Sequence, residues 1–325
     1  MGWMSGTDRP RALVTGGAGF VGSALTRRLL AEGWDVTIID ALTDYYDPEL
    51  KRANLGWAAP GATVVESDLL DPSLDLAGLL SEVDVVFHQA GQPGVRASWG
   101  TGFDIYTRAN VDATQRLLEA AAQAPRLRRF VYASSSSVYG DAERYPTLET
   151  DLPAPISPYG VTKLAGEHLT RLYARMHGVP AVALRYFTVY GPRQRPDMAF
   201  NRFIRAALGG RPIPLFGDGS QIREFTYIDD IVEANLRAAA VETEPGAVYN
   251  VSGGASVSVR EIIDLLGDLL GAPVTVEQLP RATGDVLRTG GAVDRIRRDL
   301  DWAPVIGIRE GLARELAWIS GAGTA

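Results

Sequence analysis

RALVTGGAGFVGSALTRRLLAEG, residues 11–33, begins with a short apolar strand, turns through glycines and continues with apolar residues at helical spacing. Gly16, Gly19 and Gly22 form a G-x-x-G-x-x-G pattern where the strand gives way to the helix. Glycines permit a tight turn, and the free N–H groups at a helix N-terminus attract a pyrophosphate. A plain tight turn is the alternative, but the strand before and the helix after favour a dinucleotide-binding unit.

Further short β-type runs follow this unit, separated by a helical pattern. The runs are DVTIID (35–40), ATVVESDLL (62–70), DVVFHQAG (84–91) and RRFVYASSSSVYG (128–140), and the helical pattern is NVDATQRLLEAAAQA (110–124). Strands that alternate with helices predict right-handed βαβ units and a parallel sheet. We therefore expect an α/β, Rossmann-type doubly wound domain over residues 1–185.

The composition changes after AVALRYF, residues 181–187. Three segments rich in Gly or Pro are predicted to be loops: YGPRQRPDMAF (190–200), GGRPIPLFGDG (209–219) and VSGGASVSV (251–259). REIIDLLGDLL (260–270) is predicted to be a helix. Residues 186–325 should form mainly a smaller, mixed α/β substrate lobe, with about 225–250 returning to the first domain and a cleft between the two parts.

Composition excludes several classes of function. The formal net charge of −7 over 325 residues argues against a general nucleic-acid or anionic-membrane surface. The absence of cysteine excludes disulfides, zinc-thiolate sites and thiol nucleophiles, and three histidines make a multi-histidine metal site unfavourable, so no metal is predicted. There is no apolar run of the ~20 residues that a membrane helix needs and no signal-peptide pattern, which favours a cytoplasmic enzyme.

A tyrosine and a lysine lie four residues apart in ISPYGVTKLAGEHLTRLY, residues 156–173. Only two of the 32 lysines and arginines are lysines, Lys51 and Lys163, so an amine at position 163 is notable. Tyr159 and Lys163 should share one helix face. A phenol with a pKa of about 10 serves as a base near neutral pH only if a nearby cation favours the phenolate. Lysine can do that, and its ammonium group can also donate to a cofactor ribose.

Polar residues at strand ends supply further candidates. Asp40 ends the second strand, where a carboxylate accepts both hydroxyls of an adenosine ribose and repels a 2′-phosphate, so NAD is favoured over NADP. Asp68 is a candidate for the adenine amino group, with a helix cap as the alternative. Ser134 to Ser137 end a strand where open α/β sheets bind ligands. A serine hydroxyl that orients an alcohol substrate is favoured over simple turn or cap chemistry.

Together, TGGAGFVG, Asp40, SSSSVYG and Tyr159-x-x-x-Lys163 resemble the extended short-chain dehydrogenase/reductase superfamily, in particular its nucleotide-sugar epimerases, decarboxylases and dehydratases. The resemblance runs from about residue 11 to 318, because REFTYIDDIV (223–232), PGAVYNVSGG (245–254) and RATGDVLRT (281–289) also fit its pattern. It implies NAD as cofactor and a UDP-sugar as substrate. It also implies a homodimer in which the helices that carry Asn110 and Tyr159 pair across the axis.

The resemblance also implies roles for individual residues. The catalytic set is Ser135, Tyr159 and Lys163. The cofactor is expected against Gly16, Gly19, Phe20, Val21, Gly22, Asp40, Asp68, Leu69, Ala90, Asn110, Tyr159 and Lys163. The substrate is expected against Arg96, Ser135, Ser136, Thr188, Arg195, Arg223, Arg281 and Asp285. Arg223 would bind the diphosphate, and Arg281 and Asp285 would lie near the uridine and its ribose, with a surface position as the alternative for each.

Two segments favour a uronate substrate within this superfamily. TDYYDPELKRANL (43–55) and YFTVYGPRQRPDMAF (186–200) resemble UDP-glucuronate 4-epimerases, in which a threonine, here Thr188, replaces a common asparagine. Arg195 or Arg193 would help to hold the carboxylate. One departure is Arg193-Gln194, where these epimerases usually have Trp-Gly. Dehydratases need an Asp-Glu pair after the catalytic Ser/Thr, but this chain has Ser136-Ser137, so dehydration is disfavoured.

Oxidation of a glucuronate at C4 gives a β-keto acid, which loses carbon dioxide when its carboxylate bond lies perpendicular to the ketone plane. Hydroxyls of Ser135, Ser136 and Thr188 are candidates for holding the carboxylate near the plane. The sequence therefore predicts a UDP-glucuronate 4-epimerase. UDP-glucuronate decarboxylase and UDP-glucose 4-epimerase are the nearest alternatives. A non-catalytic dinucleotide sensor is the alternative of another class, although such proteins typically lose the tyrosine or lysine retained here.

Overall fold

The computed structural model describes residues 9–253, 256–280 and 286–322. Its strands are β1 (Arg11–Thr15), β2 (Asp35–Asp40), β3 (Thr63–Glu66), β4 (Val85–His88), β5 (Arg129–Ser135), β6 (Ala181–Tyr186), β7 (Thr188–Tyr190), β8 (Ile213–Phe216), β9 (Ile222–Tyr227), β10 (Ala247–Val251), β11 (Ser256–Ser258) and β12 (Val276–Leu279). Its helices are α1 (Phe20–Ala31), α2 (Pro48–Ala58), α3 (Leu76–Ser81), α4 (Phe103–Thr107), α5 (Ala113–Ala122), α6 (Pro158–Met176), α7 (Ala199–Leu208), α8 (Ile228–Ala240), α9 (Val259–Leu270), α10 (Asp294–Leu300) and α11 (Ile308–Ile319).

Seven parallel strands form the central sheet in the order β10-β6-β5-β4-β1-β2-β3. The chain runs outward from β1 to β3 on one side and then from β4 to β10 on the other. The order therefore reverses between β1 and β4, where Thr15 pairs with His88. Ligands of doubly wound sheets bind in the crevice outside such a switch point. The predicted Rossmann-type fold is confirmed.

Apolar residues cover both faces of this sheet. One buried cluster includes Val14, Ile38 and Phe87, and a second includes Leu13, Ile39 and Val86. Successive residues of one strand thus enter different clusters, because side chains of a strand alternate between its faces. No helix in the described part of the chain is long and apolar enough to cross a membrane.

Two small sheets lie beside the large one, with the orders β11-β9-β7 and β12-β8. The prediction of a loop over residues 209–219 is wrong there, because Ile213–Phe216 forms β8 and pairs in parallel with β12. Ile213 and Leu215 are buried while Pro214 is not, so this is a half-buried strand. Proline is tolerated because β8 has one open edge. The loop prediction also missed β11, which pairs with β9 in antiparallel fashion.

Residues beyond β6 return to the large sheet. β10 pairs with β6, from Ala247 opposite Val182 to Val251 opposite Tyr186, and α8 packs beside β5 and β6. The helix predicted over residues 260–270 is present as α9, which begins with a capping box between Ser258 and Glu261. The assignment of residues 1–185 and 186–325 to separate domains stays a prediction.

Candidate active site

The glycine turn between β1 and α1 lies directly on the segment that follows β4. Gly16 has a φ of +70°, and a Cβ atom there would lie 2.7 Å from the backbone nitrogen of Ala90. A Cβ atom on Gly22 would lie 2.2 Å from the carbonyl oxygen of Gly16. Larger residues would therefore push the turn away from the sheet. The glycines keep the N-terminus of α1 at the switch point.

The start of α1 and the end of β2 fit the two charged parts of a dinucleotide. Among the described residues, no side chain caps α1 and its first turn contains no acidic residue, so its N–H groups can receive a diphosphate. The Asp40 carboxylate accepts hydrogen bonds from Ala18 N at 3.0 Å and Leu42 N at 2.9 Å. These bonds hold the carboxylate beside the turn, where a ribose would lie.

Tyr159 and Lys163 lie in the first two turns of α6, a helix that Ser157 caps by accepting from Gly160 N at 3.1 Å. Lys163 is buried, with Nζ 4.6 Å from the Tyr132 ring centroid, and burial lowers the pKa of its amine to about 7. Burial raises the pKa of Tyr159, whereas a hydrogen bond with the Ser135 side chain and the positive charge of Arg195 lower it. The serine, tyrosine and lysine are thus brought together as predicted.

Arg195 is the cation that favours the Tyr159 phenolate in this structure, a role that the sequence had suggested for Lys163. Its guanidinium donates to both oxygens of Asp197, from Nε and from Nη2, each at 2.9 Å. Tyr45 OH lies 3.4 Å from the same carboxylate. The Arg195 guanidinium beside Tyr159 is therefore paired with Asp197. The Asp197 bonds leave the two N–H groups of Nη1 and the second N–H of Nη2 for other acceptors.

Asn110 connects the segment after β4 to α6 by hydrogen bonds. It lies in a π-helical turn, Arg108–Asp112, of the kind often found at functional sites. Its side chain accepts from Gln92 N at 2.7 Å and donates to Gln92 O at 3.1 Å and to Thr162 Oγ1 at 3.0 Å. Asn110 thus supports the structure of the site and also lines the cavity.

One cavity of about 980 Å³ runs along the switch point and over β7 to β9. It is lined by the described residues that the sequence placed at a cofactor or substrate, except Arg193, the alternative to Arg195 for the carboxylate, which contacts Trp57 and Asn54 of α2 instead. These are Gly16, Gly19, Phe20, Val21, Gly22, Asp40, Asp68, Leu69, Ala90, Arg96, Asn110, Ser135, Ser136, Tyr159, Lys163, Thr188, Arg195 and Arg223. Arg281 and Asp285 lie outside the described residues, so their predicted roles stay predictions.

Residues 12–252 match the model of the NAD dependent epimerase/dehydratase family. The chain belongs to this family. The predictions of an extended short-chain dehydrogenase/reductase, of an NAD-dependent nucleotide-sugar epimerase and of NAD as cofactor are confirmed at this level. The uncapped start of α1 and the acidic residue at the end of β2 are the features of this chain that suit that cofactor.

Several relatives of the epimerase are similar over almost their whole length. A UDP-glucuronic acid 4-epimerase from Bacillus cereus, solved with UDP-glucuronic acid and NAD, is 39% identical, with 96% of this chain and all of that chain covered and a TM-score of 0.91. An uncharacterized UDP-glucose epimerase of Bacillus subtilis is 41% identical, covering 95% of this chain and 98% of its own. A UDP-glucuronate 4-epimerase of Thermodesulfobacterium geofontis is 36% identical, covering 94% and 95%.

Other predicted residues of the epimerase have protein partners as well as a place in the cavity wall. Asp68 accepts from Leu70 N at 2.8 Å, which is local turn chemistry like that weighed against an adenine contact. The guanidinium carbon of Arg96 lies 4.5 Å from the Phe216 ring centroid. Arg223 donates to the carbonyl of Val286 at 2.7 Å. These contacts help to hold both arginines in place.

Sequence reasoning missed a buried network behind Tyr159 and Lys163. Glu167 lies one turn beyond Lys163 and accepts from Ser134 Oγ at 2.6 Å. It also accepts from Arg185 Nε at 2.9 Å and Nη2 at 2.6 Å, with both side chains almost fully buried. Arg185 in turn donates to Tyr139 OH at 2.7 Å. The spacing of four between Lys163 and Glu167 was the available signal.

Glu315 was also missed. This carboxyl group on α11 is fully buried and accepts from Gly191 N at 2.9 Å, while no polar group of the described residues reaches its second oxygen. Burial raises its pKa to about 8. Gly191 opens the segment 191–197 that carries Arg195, so Glu315 anchors one end of that segment. Nothing local in the sequence of α11 marks this contact, because the partners are 124 residues apart.

Both lysines of the chain line the cavity. Lys51 is 6% exposed and Lys163 is 7% exposed. Lys51 donates to the carbonyl and hydroxyl oxygens of Thr43, at 2.6 and 3.0 Å. Lys51 therefore fixes the loop between β2 and α2, which also presents Tyr45 to the cavity.

Proposed function

We propose that this epimerase interconverts UDP-glucuronate and UDP-galacturonate by inverting C4 through a 4-keto intermediate. The observation that carries the proposal is the partly buried Arg195 guanidinium, which acts electrostatically on Tyr159 and lines the same cavity as Thr188 and Ser135. A fixed positive charge at the sugar position suits a carboxylate. The names of several similar proteins include UDP-glucuronate 4-epimerase, and another is named as a UDP-glucose epimerase.

The chemistry at C4 begins with the removal of the hydroxyl proton. NAD, when bound, supplies the hydride acceptor and returns the hydride to C4. Tyr159 takes the proton as general base, and its conversion to phenolate is favoured by the Ser135 hydrogen bond and Arg195. In the return step Tyr159 gives the proton back to the new C4 oxygen. The Ser135 oxygen accepts from Ser137 N at 3.1 Å, and its single O–H is the donor of the hydrogen bond to Tyr159, so Ser135 orients the phenol oxygen that receives the C4 proton.

The same residues must prevent loss of carbon dioxide at the 4-keto stage. The carboxylate has to stay near the plane of the ketone while the ring turns its other face toward the cofactor. Ser136 and Thr188 supply hydroxyl donors, and Arg195 supplies N–H groups that Asp197 leaves unused. A decarboxylase would need a proton donor for the enolate and another carboxylate orientation.

Replacement of Arg195 by Gln is expected to lower kcat/KM for UDP-glucuronate by about 100-fold, because a charged hydrogen bond to the carboxylate is worth about 1.5–3 kcal/mol. UDP-glucose, which has no carboxylate, should lose less than about tenfold through the smaller electrostatic effect on Tyr159. Steady-state rates with both sugars check this. Proton NMR of the anomeric signals and a carbon dioxide assay identify the product.

The control substrate also separates the alternatives. A galacto-configured uronate without pentose supports the proposal. A UDP-pentose product would show decarboxylation. Equal losses of kcat/KM for both sugars would show that Arg195 does not bind the carboxylate. Turnover of UDP-glucose at least as fast as that of the uronate by the unmodified enzyme would support the UDP-glucose 4-epimerase alternative.

We infer that the epimerase is a homodimer built on α6 and on the helical stretch from α4 to α5, which carries Asn110. Val161, Leu172 and Met176 of α6 are exposed at helical spacing. Phe103 and Ile105 of α4, a helix that contacts α6, are also exposed. Covering such residues with a second copy removes apolar surface from water. Light scattering is expected to give twice the chain mass of 34.9 kDa, and a monomer mass would contradict the inference. A cytoplasmic location stays a prediction.

A further inference from the structure

The segment 191–197 contacts α2 through Arg193. Arg193 has a φ of +68°, a conformation that L-residues adopt only when their surroundings hold them there. Its guanidinium carbon lies 4.2 Å from the Trp57 ring centroid on α2. Its Nη1 donates to Asn54 Oδ1 at 3.2 Å. Two contacts to α2 thus fix an otherwise unfavourable backbone.

Asn54 also contacts the glycine turn between β1 and α1. Its side chain is 6% exposed, and its Nδ2 donates to the carbonyl oxygen of Ala18 at 3.1 Å. Ala18 N in turn donates to the Asp40 carboxylate, the group suited to the ribose. A continuous path of hydrogen bonds therefore runs from Arg193 through Asn54 and Ala18 to Asp40. Its first hydrogen bond, from Arg193 to Asn54, joins residues 139 positions apart in the chain.

The segment is stiff enough to transmit a displacement along this path. Gln194 is buried, donates to Val189 O at 3.0 Å and accepts from Asn201 N at 3.0 Å. Gly191 is held by Glu315. Arg195 follows directly after Gln194, so a change at its guanidinium is carried by a short, fixed stretch of backbone to Arg193. Packed elements with specific contacts pass on such shifts because they do not deform continuously.

We propose that Arg193 and Asn54 are positioning residues that couple the affinity for the UDP-sugar to the affinity for NAD. This inference rests on the proposed function only in placing the sugar against Arg195. A sugar that fixes Arg195 fixes Arg193, and through Asn54 it holds the glycine turn in the geometry that binds the diphosphate. Coupling between two sites is reciprocal, so bound NAD also tightens the sugar. The coupling thereby retains the reduced cofactor while the 4-keto sugar rotates to present its other face.

The test is the dissociation constant of NAD measured by calorimetry with and without saturating UDP-glucuronate, in a Tyr159→Phe background that prevents turnover. In this background the sugar is expected to tighten NAD by about fivefold to tenfold. Adding Arg193→Ala or Asn54→Ala should reduce that ratio to less than about twofold, and adding both should reduce it no further, as for residues that act in series. This ratio of dissociation constants does not change if a substitution weakens NAD binding equally with and without the sugar.

Arg27→Ala is the matched control. The guanidinium carbon of Arg27, on α1, lies 4.5 Å from the same Trp57 ring, and this contact joins α1 to α2 without involving the segment 191–197, so the ratio should be retained. An unchanged ratio in both Arg193→Ala and Asn54→Ala, or no coupling in the parent, would overturn the inference. If UDP-glucose binds and UDP-glucuronate does not, the proposed substrate is wrong and the same titrations with UDP-glucose decide the coupling. Failure to bind either sugar would overturn both proposals.

Discussion

Replacement of Tyr159 by Phe is expected to lower kcat by about 10³-fold, within the range of about 10²–10⁴ for loss of a general base. The substitution removes the oxygen atom of a partly buried phenol whose pKa is raised by burial, an effect that the Ser135 hydrogen bond and the charge of Arg195 oppose. No other phenol that lines the cavity has both of those partners among the described residues. The measurement is a progress curve under saturating UDP-sugar.

Binding provides the control for this variant. Phe keeps the ring and its edge contact with Tyr106, whose centroid lies 6.4 Å away, so the dissociation constants of NAD and UDP-sugar should change by less than about threefold. A Tyr159→Phe protein that keeps more than a tenth of the parental kcat would contradict the assignment. That result would also revive the alternative of a non-catalytic dinucleotide sensor, provided that the parental activity is itself negligible.

Replacement of Glu167 by Ala is expected to lower the free energy of unfolding by about 3–5 kcal/mol, because it leaves the buried charge of Arg185 without its partner. The same change leaves the Ser134 hydroxyl without its acceptor. Urea unfolding followed by circular dichroism, with the slope compared between variants, measures the loss.

Two further variants make this prediction specific. Replacing both partners, as Glu167→Leu with Arg185→Met, should lose less than Glu167→Ala alone, since no uncompensated charge remains. Glu66→Ala should cost less than about 1 kcal/mol, because its ion pair with Arg52 is exposed. If the double variant is as unstable as Glu167→Ala, the cost lies in packing and the charge argument is wrong.

The parts of the site that could be predicted from sequence are those built from short spacings. The glycine turn, the strand that precedes it and the Tyr159-Lys163 pair each lie within a few residues, where helix and strand geometry fixes which side chains meet. Asp40 follows from the position at which β2 ends. These elements depend on local backbone preferences and on apolar periodicity, so they are present in the structure as predicted.

The remaining parts depend on contacts between distant segments. Asn54 meets Arg193 only because α2 and the segment after β7 lie at the same edge of the sheet. β8 contains Pro214 and has its pairing partner more than sixty residues later, so local propensity predicted a loop. The charge beside Tyr159 comes from Arg195, whose pairing with Asp197 depends on the turn between them. Tertiary packing decides each of these cases.

The burial of both lysines has a practical consequence for chemical labelling. Acylating reagents and lysine-modifying enzymes need a reachable side-chain amine, and the two lysines of this sequence, Lys51 and Lys163, are both buried and line the cavity. Burial also lowers the pKa of Lys163 to about 7, so a large fraction of its amine is unprotonated and nucleophilic near neutral pH. An amine-reactive group carried on a nucleotide scaffold would therefore meet both lysines inside the cavity, and its attachment to either lysine would report occupancy of that cavity.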